Sequence, residues 1–173
     1  MISASIVPPE PIATATAAAD LKSLFGLAVW LVLCFGAAVF GAQFMPGEWY
    51  AGLKKPSWNP PGWIFAPVWI ALYILMAVAA WLTWKRGGFV GQRPALLLFL
   101  LQLFFNALWS WLFFGRHQPA LAFVDILLLW LCLLATTVAF WKVRVVAGLL
   151  LVPYLLWVSF AAALNFALWR LNL

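Results

Sequence analysis

Few side chains in this 173-residue chain could do chemistry. The one histidine, His117, lies in a turn beside Arg116, and the two cysteines, Cys34 and Cys132, fall in separate apolar stretches. Together they do not make a zinc site, which needs several N or S ligands converging on one point. A bis-histidine haem is impossible with a single histidine. Ser110 and Ser159 have no His or carboxylate at a spacing that suggests a triad, and there is no Gly-rich phosphate loop. No catalytic residue, metal or resident cofactor is therefore assigned. The cysteines are too few for a disulfide framework and read as buried, reduced thiols. Asp125 is the one acid well inside an apolar stretch. It is either a substrate or proton group or a buried structural acceptor paired with an Arg or a Trp N–H. The structural reading is preferred, since one carboxylate makes no relay.

The remaining polar residues are informative as a pattern. Gln102, Asn106, Trp109, Ser110 and Phe113 recur at offsets of 4, 7, 8 and 11. Asp125, Cys132 and Thr136 recur at 7 and 11, and Tyr154, Trp157, Ala161 and Asn165 at 3, 7 and 11. Such offsets put each set on one stripe of a helix. Polar groups are costly in lipid, so the stripes should face the interior of a bundle. There they serve either as interhelical glue or as the wall of a ligand pocket. Tryptophan is unusually common at 13 residues. Trp49, Trp58, Trp63, Trp84, Trp141 and Trp169 sit near segment ends, where an aromatic belt is expected. Trp69, Trp130 and Trp157 lie deeper, where each indole N–H wants a partner and the rings could wall a cavity for a large flat ligand. Gly26, Trp30, Ala37 and Gly41 form a further stripe suited to close helix contact.

The elements that position these residues follow from composition. Hydrophobic residues make up 68% of the chain and charged residues 8%. Soluble domains carry about 45–50% and roughly 25%. A soluble enzyme, a disordered regulator and a secreted disulfide scaffold are excluded. Five apolar segments, at about residues 21–44, 63–84, 94–114, 119–141 and 145–169, each approach the ~20 residues that span a bilayer core. Continuous rather than alternating apolarity selects helices over a barrel. The expected fold is an all-α bundle of five transmembrane helices over residues 21–173, preceded by a mobile tail at 1–20. Short turns force antiparallel neighbours. Only the first connection, about 45–62, is long, and Pro46, Pro56, Pro60 and Pro61 keep it from being one helix. It is either an interfacial connector or an ordered functional loop. The net charge of +6 arises from residues at segment ends, which fits headgroup anchoring and not nucleic-acid binding. Six basic residues on the N-terminal side against four on the other favour a cytoplasmic N-terminus.

The run Trp49-Tyr-Ala-Gly-Leu-Lys-Lys-Pro-Ser-Trp-Asn-Pro-Pro-Gly-Trp63, then Pro67-Val-Trp69 and Tyr73, resembles the TspO/MBR family of tryptophan-rich sensory and translocator proteins. The likeness continues through Gln102, Asn106, Phe113-Phe114-Gly115, Val124-Asp125, Ala135-Thr-Thr-Val138, Pro153-Tyr154, Trp157, Leu164-Asn165 and Trp169-Arg170. It implies a homodimer in a bacterial envelope membrane, inner or outer. It also implies binding of tetrapyrroles such as protoporphyrin IX, with sterols or lipid as further ligands, beneath the first loop acting as a lid. Carried over by motif, Trp69 and Trp157 would be pocket walls, with Asn106, Tyr50 and Ala161 as neighbours. Tyr73, Gln102, Tyr154, Trp58, Trp109 and Asp125 complete the implied ligand-binding set. Lys54 and Lys55 would be available to porphyrin propionates. The implied function is a sensor that regulates tetrapyrrole metabolism or stress response. Trp-dependent photochemical degradation of protoporphyrin IX, or translocation of porphyrin or sterol, is the alternative. The family's cholesterol motif is broken here by Phe166 in place of Tyr.

Overall fold

The computed structural model describes residues 12–173, with side chains from Asp20 onward. The tail expected at 1–20 lies outside the described residues as far as position 11, and helical backbone begins at Ile12. Five long helices dominate: α1 (Ile12–Ala42), α3 (Phe65–Trp84), α5 (Arg93–Ser110), α6 (Pro119–Val143) and α7 (Val145–Leu171). Two short ones, α2 (Glu48–Gly52) and α4 (Gly88–Gly91), lie in the first and second connections. No strand occurs among the described residues. The five apolar spans run from 23 to 27 residues, enough to cross a bilayer core.

Connection length sets the arrangement. A single residue, Arg144, separates α6 from α7, so the two form a tight antiparallel pair. α7 then packs on α3, α3 on α1, α1 on α5 and α5 on α6, which closes a ring. Small residues bring the helices together. A Cβ on Gly26 would stand 2.5 Å from the Trp84 ring, and one on Gly41 would stand 3.1 Å from the Ser110 hydroxyl. The expected α1 stripe therefore makes its contacts inside the bundle. Gly148 lies against Trp141 across the α6–α7 turn.

The half of the bundle at the α6–α7 turn is solid. Met76, Leu96, Phe99, Leu133, Phe140 and Leu151 are all fully buried there. Phe99 stacks on Phe140 at 5.7 Å and receives the edge of Trp30 at 5.6 Å. The outer faces carry exposed Val32, Leu128 and Leu156, as lipid contact requires. At the opposite end α5 closes in a π-helical turn, Trp111–Gly115, in which the Arg116 N–H reaches the Trp111 carbonyl at 2.8 Å. Phe113 and Phe114, consecutive in this turn, both lie against Tyr50 of the first loop.

Gly148→Ala should lower the thermal unfolding midpoint in detergent. Its new Cβ would meet the Trp141 backbone at 2.9 Å, and overpacking of this kind costs about 1–3 kcal/mol. Gly36→Ala meets nothing within 4 Å and should be neutral or stabilising. Equal shifts in the two variants would contradict the packing described.

Candidate functional site

Above the solid half, polar side chains from different helices bond to one another. The Tyr73 hydroxyl on α3 donates to Asn106 Oδ1 on α5 at 2.7 Å. Asn106 Nδ2 donates to the Tyr154 hydroxyl on α7, also at 2.7 Å. A second link runs from Trp109 Nε1 to Asn165 Oδ1 at 2.9 Å, and from Asn165 Nδ2 to the Pro119 carbonyl at 2.8 Å. In lipid these groups have no water to turn to, so each link ties helices together.

A cavity of about 850 Å³ opens above this layer, bounded by all five long helices and the first loop. Trp69 lines one side, tilted on Tyr73 at 5.5 Å and edge-on to Tyr154 at 6.0 Å. Trp157 also lines it, edge-on to Phe65 at 5.8 Å and beside Phe160 at 5.6 Å. Ala161, one turn beyond Trp157, adds little bulk to the lining. Pro46, Tyr50, Lys55, Asn59, Pro60 and Pro61 form the roof. Tyr50 sits against Phe113 and Phe114 and donates its hydroxyl to Asn59 Oδ1 at 3.3 Å. Burial pushes the Tyr50 phenol above its ordinary range while the Asn59 bond pulls the other way, so it keeps its proton at neutral pH. Trp49 stacks on His117 at 4.4 Å and meets Phe113 edge-on, which seats α2 on the α5–α6 corner.

Of the sequence candidates, Trp69, Trp157, Asn106, Tyr50, Ala161, Tyr73 and Trp109 line the cavity together. Tyr154 stands behind them, fully buried, holding Asn106 and backing Trp69. Gln102 lies one turn deeper, with its Nε2 3.9 Å from Met76 Sδ. Trp58 is on the roof, half exposed, with its ring against Phe160. Asp125 is buried next to the lining residue Ile126 but does not line the cavity. The expected pairing of Asp125 with an Arg or a Trp N–H is not formed: neither carboxylate oxygen has a hydrogen-bond partner. Trp130 bonds Ser159 at 2.8 Å and serves the α6–α7 contact instead of the cavity. Lys55 lines the cavity at the roof. Its Nζ donates to the Tyr50, Ala51 and Leu53 carbonyls at 2.7, 3.0 and 3.2 Å, capping α2.

Sequence reasoning missed Phe35, Phe65, Phe160 and Asn59 as lining residues. Phe65 and Phe160 lie at helical offsets from Trp69 and Trp157, so extending those stripes would have found them. Phe35 and Asn59 carried no such signal. Among the described residues, Lys55 is the one charged lining side chain, and no carboxylate lines the cavity. The lining is mostly apolar and aromatic with few polar groups, as in sites for small apolar ligands.

The TspO/MBR family model matches residues 15–170. Protein CrtK of Rhodobacter capsulatus is 45% identical over 154 residues, covering 87% of this chain and 94% of that protein. Tryptophan-rich protein TspO of Chlorobaculum tepidum is 43% identical over 158 residues, covering 87% and 98%. The human Translocator protein is 45% identical over 137 residues, covering 76% and 81%.

Asn106→Leu keeps the side-chain size but strands the Tyr73 and Tyr154 hydroxyls. Each buried polar group left unpaired costs about 1–3 kcal/mol, so the detergent melting point should fall by several degrees. Tyr154→Phe removes one partner only and should fall less. A melting point for Asn106→Leu at or above that of the parent chain would show that the three-residue chain contributes nothing.

Proposed function

The chain belongs to the TspO/MBR family and is a multi-pass integral membrane protein, and we propose that its cavity binds tetrapyrroles such as protoporphyrin IX so that the protein acts as a sensor in tetrapyrrole metabolism or stress response. The observation that carries this reading is the pairing of Trp69 and Trp157 on one roofed cavity of about 850 Å³. A tetrapyrrole is flat, aromatic and largely apolar, and indole faces and edges favour such rings by about 0.5–1.5 kcal/mol per contact beyond area burial. Lys55 lines the cavity with its charge held at the α2 carbonyls, and Lys54 adds a second cation where the roof meets water, so propionates would sit toward the roof. Bacterial relatives support a bacterial membrane as the setting. Pairing as a homodimer belongs to the same proposal, and the apolar outer faces are compatible with it.

Sterol is the weaker ligand. Phe166 faces outward beside Phe123 and Trp169, and its ring has no hydroxyl to offer a sterol. Photochemical breakdown of protoporphyrin IX is a second reading, favoured by the two indoles on the cavity wall.

Titration of the purified protein with protoporphyrin IX in the dark, following Trp fluorescence, tests the proposal. Saturable quenching is expected, with Kd raised about tenfold in a Trp69→Phe/Trp157→Phe double variant, a change of about 1.4 kcal/mol. Linear quenching, identical in the variant, would mean that porphyrin only partitions into detergent. Illumination of the complex then separates the readings. Light-dependent porphyrin loss that stops in Trp157→Phe while binding survives would favour chemistry over sensing.

A further inference from the structure

The roof of the cavity is fastened to the bundle on two sides by different means. On the α5–α6 side it is held by apolar area: Trp49 on His117 and Phe113, and Tyr50 on Phe113 and Phe114. On the α7 side the ring of Trp58 rests on Phe160 at 5.8 Å, and the polar fastening comes from one further side chain. Asn172, just past the end of α7, accepts the Lys54 N–H on its Oδ1 at 2.9 Å. Its Nδ2 donates to the Lys54 carbonyl at 3.0 Å and to the Leu168 carbonyl at 2.8 Å. The carboxamide thus meets both backbone polar groups of one loop residue, as a neighbouring strand would. It also takes one of the carbonyls that the end of α7 leaves without a helical partner. The Lys54 side chain plays no part in either bond.

We propose that Asn172 is the latch of the lid: a positioning residue that holds the loop shut over the cavity and thereby slows the passage of ligand in and out. The proposal rests on the reading of the cavity as a ligand site. The two fastenings differ in kind. Aromatic contacts on the α5–α6 side tolerate small displacements, whereas paired hydrogen bonds at 2.9 and 3.0 Å are lost together once the strand-like register slips. Asn172 and Lys54 are both exposed, so water replaces their bonds at little cost and the latch can open without unfolding the roof. Opening on the α7 side would uncover the edge of the cavity nearest Trp157 and Phe160, whose helix carries the latch.

Hydrogen–deuterium exchange of ligand-free protein is the first arm of the test. Peptides covering residues 53–59 should exchange roughly three- to tenfold faster in Asn172→Ala, the change expected from losing about one net hydrogen bond. Lys54→Ala keeps the backbone bonds and should exchange as the parent does. The second arm is stopped-flow mixing with protoporphyrin IX. Association and dissociation rates should both rise several-fold in Asn172→Ala, with Kd changed less than about twofold, because an opening step scales both rates alike. Unchanged loop exchange in Asn172→Ala overturns the latch, whatever the ligand does. Faster exchange with unchanged porphyrin rates overturns its control of passage. Failure of every variant and the parent to bind porphyrin would instead defeat the tetrapyrrole reading, while the exchange arm still decides the latch.

Discussion

The structure depends on the hydrogen bonds that polar side chains make between helices, because an unpaired polar group is costly in a bilayer. In a hydrocarbon core an amide that loses its partner cannot turn to water. Asn106 meets that constraint by using both ends of its side chain, accepting from Tyr73 and donating to Tyr154. One residue of α5 thereby fixes its distance to α3 and α7, and Asn165 does the same for α5, α6 and α7. The polar layer separates two different regions. On one side the helices close on Met76, Leu96, Phe99 and Phe140, all fully buried. On the other they stand apart around the cavity. Had these polar positions been apolar, nothing directional would hold the helices at that separation, since lipid and leucine are equally good neighbours.

The first loop roofs the open end of the bundle. Its prolines restrict the backbone, and its short helix α2 is stabilised by Lys55 at the C-terminal carbonyls. Phe113 and Phe114, in the π-helical end of α5, both meet Tyr50, and the roof gains its apolar seat. The space has aromatic walls, a polar floor and the first loop as its roof.

The five spans were legible in the sequence because each is a continuous apolar run ended by Gly, Pro or basic residues. Observed limits such as Gly62–Trp84 and Pro119–Val143 differ from the expected ones by a residue or two. The inward stripes were legible for the physical reason that lipid excludes polar groups, and Gln102, Asn106, Asp125, Thr136 and Asn165 are all buried. Periodicity names a face but not a neighbour. It could not say that Trp130 would find Ser159 and stay out of the cavity, or that Asp125 would be buried without a partner. The π-helical turn carried no local signal, because its register is set by what packs on it. The bonds between Lys54 and Asn172 join residues 118 positions apart, and no spacing rule reaches that far. Lys55 reads as a free cation in sequence because the carbonyls it caps belong to backbone geometry.

The central claim is that the roofed cavity, and not the lipid-facing exterior, is where a tetrapyrrole sits. A structure of the protein in lipid with protoporphyrin IX tests it most directly. The account predicts the macrocycle beneath the loop, against Trp69 and Trp157, with its propionates toward the roof. A macrocycle on the outer surface of the bundle, with the cavity holding lipid alone, would contradict it.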